Sequence, residues 1–354
     1  MNVPLVYHRP HRTRYAGAVE RVERQGARMR ILITGGAGYI GSVAVEMAAA
    51  AGHEPVVLDS LWRGHREAVV PDVPVHAVDL RDAEAVRSTL AEVRPDVVMH
   101  FAAATLVGES VERPLDYFGA NVVGGHNLLA AMEAAGCGRL VFSSTAAVYG
   151  EPATVPVRED APTLPINPYG RSKLMVEQML PWHADAWGLS YCCFRYFNVA
   201  GATPTRGEDH SPETHLIPVA LQTLLGQRDA LRVFGTDYPT PDGTAIRDYV
   251  HVMDLVDAHL LALPHLDRPL GAFNLGTREG FSVRHVVRAV EGVTDRTLPV
   301  IETGRRAGDP PMLVADSTRA RTELGWDPAR STMERMVTDA WAWHQEHPNG
   351  YGAA

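Results

Sequence analysis

The chain has 354 residues, 45% of them apolar and 21% charged, with a formal net charge of −9 at pH 7. That is ordinary globular composition, with enough chain for one large or two smaller domains, and it excludes disordered, collagen-like and coiled-coil chains. The acidic balance argues against a dominant nucleic-acid-binding face, and no run of about 18 apolar residues marks a membrane span.

Met1 to Arg28 holds six Arg and two Glu but no Ser and no apolar core. It reads as neither a secretory signal nor a transit peptide, so we expect either a disordered extension or an upstream start codon with Met29 the working start. From Met29 an α/β rhythm begins. Strands are predicted at Arg30–Thr34, Pro55–Asp59, Val75–Asp79, Asp96–Phe101 and Arg139–Ser144, and helices at Val43–Ala51, Ala83–Val93 and Val122–Ala135. Strands alternating with helices predict a Rossmann-type, doubly wound parallel sheet. The rhythm loosens near Ala200. Residues 29–200 therefore read as a dinucleotide-binding domain and 201–350 as a smaller substrate-binding region with segments that return to the first. The three cysteines, Cys137, Cys192 and Cys193, cannot pair completely and suit a reducing compartment.

The first strand runs into Gly35-Gly36-Ala37-Gly38-Tyr39-Ile40-Gly41. Glycines there allow a tight turn and let a pyrophosphate approach backbone N–H groups at a helix N-terminus. The strand before and the helix after supply the context that this motif needs. Asp59 ends the second strand, where a carboxylate accepts from a ribose 2′-hydroxyl and repels a 2′-phosphate, so the predicted cofactor is NAD, with Arg63 nearby as the one group that could soften the preference.

All but one of the 33 basic residues are Arg, and the single Lys, Lys173, closes Tyr169-Gly170-Arg171-Ser172-Lys173. On a helix, i and i+4 share a face, so a phenol and an ammonium can enter one site. The ammonium is expected to lower the Tyr pKa and make Tyr169 a usable base. The fifth strand ends in Ser143-Ser144-Thr145, at the edge where such sheets bind ligands.

These motifs resemble the extended short-chain dehydrogenase/reductase superfamily and, within it, the UDP-glucose 4-epimerase family. The likeness runs from Met29 to about Gly350, through TGGAGYIGS at Thr34, HFAA at His100, VGESV ending at Val111, SSTAAVYG at Ser143, PYGRSKLMVE at Pro168, RYFNVAGA at Arg195 and FGTDYPTPDGTAIRDYVHVMDL at Phe234. The resemblance implies interconversion of UDP-galactose and UDP-glucose by transient oxidation at sugar C4, with NAD retained. Tyr169 would exchange the 4-hydroxyl proton, Thr145 would bridge that hydroxyl and the phenol, and Lys173 would hold the nicotinamide ribose. Cofactor contacts carried over are Gly35, Gly38, Tyr39, Ile40, Gly41, Asp59, Asp79, Leu80, Phe101, Ala102 and Tyr196, besides Tyr169 and Lys173. Substrate contacts implied are Asn198, Leu216, Val233, Phe234, Arg247, Arg306 and Asp309, besides Thr145.

The sequence also departs from the family. Thr105 stands where well-known members carry a Lys, Ala120 where they carry an Asn, and Thr214-His215 where some carry two Asn. Leu313 aligns with the residue that sets room for an N-acetyl group. A related 4,6-dehydratase would need Asp-Glu where Ala146-Ala147 stand, and alanine transfers no proton. Other UDP-sugar 4-epimerases, a simple dehydrogenase and a non-catalytic NAD-binding protein are the remaining alternatives. The 16 histidines show no H-E-x-x-H, and no metal is expected. His100, in an apolar strand, reads as a satisfied core residue. The family likeness implies a cytoplasmic homodimer.

Overall fold

The computed structural model describes residues 28–306 and 309–352. The expected extension, up to residue 27, lies outside them.

Seven parallel strands form the main sheet: β1 (Arg30–Thr34), β2 (Glu54–Asp59), β3 (Val75–Ala77), β4 (Val97–His100), β5 (Arg139–Ser143), β6 (Ser190–Tyr196) and β10 (Gly271–Leu275). Their order is β10-β6-β5-β4-β1-β2-β3, so the winding direction reverses between β1 and β4. This is the doubly wound sheet that the alternation predicts, and the crevice outside the β1 and β4 carboxyl ends is where such a sheet takes a ligand.

Both faces are covered. On one, Ile31, Ile33, Val57, Met99 and Phe194 pack against the helices Tyr39–Ala50 and Val252–Ala262. On the other, Leu32, Leu58, Val98 and Phe142 pack against Ala83–Val93, Gly124–Ala135 and Pro168–Trp187. Burial on both faces explains why the strands read as continuous apolar runs rather than alternating ones.

The remaining strands build the smaller region. They are β7 (Asn198–Ala200), β8 (Leu231–Phe234), β9 (Ile246–His251), β11 (Gly280–Ser282), β12 (Val300–Thr303) and β13 (Met312–Leu313). β9 is its centre, flanked by β7, β11 and β13, while β8 pairs with β12. A separate apolar core joins the helices Leu216–Leu224, Val283–Thr294 and Met333–Glu346 beneath it.

Most predicted boundaries shift by a residue or two, and three of the shifts have clear physical reasons. The first helix begins at Tyr39 rather than Val43, because the extended Gly38 (φ −86°, ψ 177°) is its N-cap and Gly41 is tolerated inside it. The third strand stops at Ala77, which leaves Asp79 in the following turn. The helix expected from Val122 starts at Gly124, and a wider π turn over Phe118–Val123 leads into it. Such turns cluster at functional sites, and this one carries Asn121.

Candidate active site

The glycine cradle lies at the β1–β4 crevice. Gly35 has φ +74°, and a Cβ there would lie 2.5 Å from the Ala102 nitrogen; a Cβ on Gly41 would lie 2.0 Å from the Gly35 oxygen. These two glycines are demanded by the protein's own close packing. Gly38 is different: its Cβ would meet no protein atom nearer than 3.4 Å. The chain itself does not require Gly38 to be bare, which suits a position kept open for a pyrophosphate. The helix behind it has no side-chain N-cap, so its first N–H groups remain for an anion.

Asp59 is buried at the tip of β2. It accepts from the Ala37 nitrogen at 3.0 Å and the Leu61 nitrogen at 2.9 Å, and burial raises its pKa against those bonds. Arg63 is engaged elsewhere: its guanidinium donates to both Glu109 oxygens at 2.8 Å. The Tyr39 hydroxyl donates to the Gly201 oxygen at 2.6 Å, while Ile40 is half-buried. Phe101 and Ala102 continue β4 and both donate to the Thr34 oxygen at 3.0 Å. Asp79 is held by Arg81, and the Leu80 oxygen accepts from Asn127 at 2.9 Å. The open Gly38, the uncapped helix start and the Asp59 carboxylate thus gather beyond β1 and β2, and this cradle fits NAD.

Thr145, Tyr169 and Lys173 come together beyond β5. Asn167 caps the helix Pro168–Trp187 by accepting from the Gly170 nitrogen at 2.8 Å, and Pro168 sets its first turn. Tyr169 follows at once, buried with Ala104 and Tyr117. The Thr145 hydroxyl accepts from the Ala147 nitrogen at 3.1 Å, which leaves its hydrogen for the Tyr169 oxygen. Burial raises the Tyr169 pKa and the Thr145 bond opposes that rise.

The expectation that Lys173 lowers the phenol pKa needs correction. Lys173 donates to the Ser143 oxygen at 2.9 Å, and burial lowers its own pKa to about 7. Near neutral pH it is not the permanent charge that the spacing argument assumed. Tyr196 lies alongside, with its hydroxyl on Ser143, and the neighbouring Tyr169 adds to the rise in its pKa.

Spacing did not reveal the groups that hold this arrangement. Glu177 is buried and binds Arg195 through Nε at 3.0 Å and Nη2 at 2.5 Å, while also accepting from Ser144. Arg195 also donates to the Tyr149 hydroxyl at 3.0 Å. Asn121 donates to the Ala104 oxygen at 3.0 Å and to Ser172 at 2.9 Å, and accepts from the Ala104 nitrogen at 2.8 Å. It ties the loop after β4 to the turn that carries Tyr169. One signal was available: Glu177 lies four residues beyond Lys173, on the same helix face. His100 is buried and shares a 2.7 Å hydrogen bond with Thr34, and burial lowers its pKa to about 3.

In the smaller region, Arg247 pairs with Asp309, and the Arg306 guanidinium lies 4.0 Å over the Phe234 ring. Leu216 opens its helix, and Asn198 begins β7 beside Tyr249 of β9. Leu313 pairs in register with Arg247 and packs against the cluster that contains Ala146 and Tyr149. Val233 differs from the expectation, since its side chain is buried in the apolar core instead of facing a ligand. The reason is strand alternation: its neighbour Phe234 takes the other face. Thr105 is exposed, and Ala120 packs near Tyr169.

The fold also gathers one cluster of side chains of metal-ligand type. Glu208, His210, Glu213 and His215 place one donor atom each within 4.8 Å of one another. The E-x-H-x-x-E-x-H spacing is visible in the sequence, but no H-E-x-x-H rule reaches it. Among the described residues no helix is long and apolar enough to cross a membrane.

Comparison with known proteins adds four findings. The sequence model of the NAD dependent epimerase/dehydratase family matches residues 31–276. A UDP-glucose 4-epimerase of Halalkalibacterium halodurans is 50% identical over 327 residues, spanning 91% of this chain and 98% of the relative. A crystal structure of a UDP-glucose 4-epimerase superposes with a TM-score of 0.89 at 48% identity, covering 92% of this chain and 100% of that one. A Brucella ovis UDP-glucose 4-epimerase crystallised with NAD gives 0.86 at 44% identity, covering 89% and 98%.

Proposed function

Because the chain belongs to the NAD dependent epimerase/dehydratase family, we propose that the crevice beyond β1, β4 and β5 is where it interconverts UDP-galactose and UDP-glucose. The observation that carries this reading is the convergence of Thr145, Tyr169 and Lys173 beyond β5, in the same sheet whose β1 end opens into the Gly38 cradle. NAD held there would supply the hydride acceptor for sugar C4 and the donor for its return, with no net redox.

The chain's own residues do the rest. Tyr169 takes the proton from the sugar O4 in the first half of the reaction and gives it back in the second. One group therefore serves both directions. Thr145 donates to the phenol oxygen and so favours the phenolate as it forms. Lys173 would donate from Nζ to the nicotinamide ribose, which either of its protonation states allows, and Asp59 would accept from the adenine-side ribose. Arg247 and Arg306 present forked donors suited to a diphosphate, with Phe234 against the uracil. Asn198, Leu216 and Asp309 complete the substrate contacts. Residues 29–200 form the NAD-binding domain, with β10 returning to its sheet, and 201–350 mainly bind substrate.

Ala146-Ala147 follow Thr145, so the acid–base pair that a dehydratase needs is missing there. We further propose a homodimer in the cytoplasm, a compartment supported by three buried free thiols.

The test is conversion of UDP-galactose to UDP-glucose by purified protein with no NAD added, with Tyr169→Phe as control. Wild type is expected to turn over and the variant to lose roughly 10²–10⁴-fold. No conversion with or without added NAD, alongside turnover of another UDP-sugar, would overturn the substrate assignment.

A further inference from the structure

We infer that Glu208, His210, Glu213 and His215 form a structural site for one divalent transition-metal ion, zinc in the first instance. Both imidazoles turn Nδ1 toward the carboxylates. His210 Nδ1 lies 3.1 Å from Glu208 Oε1 and 3.5 Å from Glu213 Oε2. His215 Nδ1 lies 2.9 Å from Glu208 Oε1 and 2.9 Å from Glu213 Oε1. In a tetrahedral site with ligands at about 2.0–2.1 Å, neighbouring donors stand roughly 3.3 Å apart. These His–Glu separations lie near that edge, with Glu213 turning Oε2 to His210 and Oε1 to His215, and one donor atom from each of the four residues lies within 4.8 Å of the others, so an ion at the centre would draw them together.

A second observation points the same way. The Glu213 side chain is only 2% exposed, and its Oε2 is buried without a hydrogen-bond partner among the described residues. Its other oxygen accepts from the Thr214 nitrogen at 2.7 Å and the His215 nitrogen at 2.8 Å. These bonds hold the carboxylate still with one oxygen aimed at His210, the kind of outer support that metal ligands require. Charge also balances, since two carboxylates match one divalent ion with both imidazoles neutral. Four protein donors close the coordination sphere, which marks a structural rather than a catalytic site. The His side of the cluster is partly exposed and provides the entry path.

The location gives the ion a purpose. His215 immediately precedes Leu216, and the Tyr39 ring, next to Gly38, lies 6.4 Å from His210. Arg228 fixes the same segment through the Glu213 oxygen at 2.9 Å. The ion would staple the 208–215 segment between the cofactor cradle and the substrate side. That consequence rests on the proposed function, but the site itself does not.

The experiment uses the full chain without a histidine tag, stripped with chelator, supplied with one equivalent of zinc chloride and desalted. Elemental analysis is expected to find about one zinc per chain in wild type and a small fraction of that in Glu213→Gln and His210→Asn. Cobalt loading should show the strong visible bands of a four-coordinate ion in wild type and lose them in both variants. Equal zinc in wild type and variants, or none retained by wild type, would overturn the site and leave a His–Glu hydrogen-bond network. If zinc is retained, KM for UDP-galactose is expected to rise on stripping by more than kcat falls. Loss of all epimerisation while zinc is retained would count against the functional reading alone.

Discussion

Replacing Glu177 by Gln keeps the shape of a buried side chain and removes its charge. In wild type the carboxylate receives Arg195 Nε and Nη2 and the Ser144 hydroxyl, and both partners of the ion pair are less than a tenth exposed. The amide presents a donor to a guanidinium that has only donors, and the Arg195 charge is left buried. Breaking a buried pair in this way costs about 3–5 kcal/mol. With an unfolding entropy of roughly 2 cal/mol/K per residue, that lowers Tm by about 4–7 °C for a two-state chain of this length. The assay is thermal unfolding followed by circular dichroism at pH 7.5, for Glu177→Gln, Arg195→Met and the double variant. The double variant is expected to lose less than the sum of the single ones, because no charge is stranded. A Glu177→Gln shift below about 1 °C, or strict additivity in the cycle, would refute the argument that this pair organises the helix carrying Tyr169 and Lys173.

Gly41→Ala drives a Cβ to 2.0 Å from the Gly35 oxygen, so NAD affinity is expected to fall at least about tenfold, read as cofactor retained after gel filtration. Asp59→Asn removes the charge that rejects a 2′-phosphate, and the preference for NAD over NADP is expected to shrink roughly 10–100-fold in fluorescence titrations. Lys173 titrates near 7 in the folded chain and near its ordinary 10.5 when unfolded. Between those values the unfolded chain binds the extra proton, so this group makes stability rise with pH by up to about 1.4 kcal/mol per unit. Denaturant titrations of ligand-free protein from pH 6 to 10 are expected to show that rise in wild type and lose it in Lys173→Met, with no contribution below pH 7. An identical slope in the two proteins would contradict the buried geometry.

The main sheet was legible because its physics is local. Continuous apolar strands, glycines at a strand–helix turn and a carboxylate at a strand tip each occupy a few adjacent residues. The i, i+4 spacing of Tyr169 and Lys173 is legible in the same way, since a helix converts sequence distance directly into a shared face. Burial is not local, and there the linear reading failed. The pKa of Lys173 depends on what covers it, and spacing alone suggested a lasting charge. Val233 was expected among the substrate contacts with Phe234, but strand alternation puts its side chain in the core of the smaller region and that of Phe234 on the other face. Glu177 and Arg195 lie 18 residues apart, and Asn121 and Ser172 lie 51 apart. Each pair exists only because parallel strands bring remote segments together. The chain thus carried its cofactor fold and proton-exchanging residues in short patterns, whereas their charge states and the partners that hold them were settled by packing across the sheet.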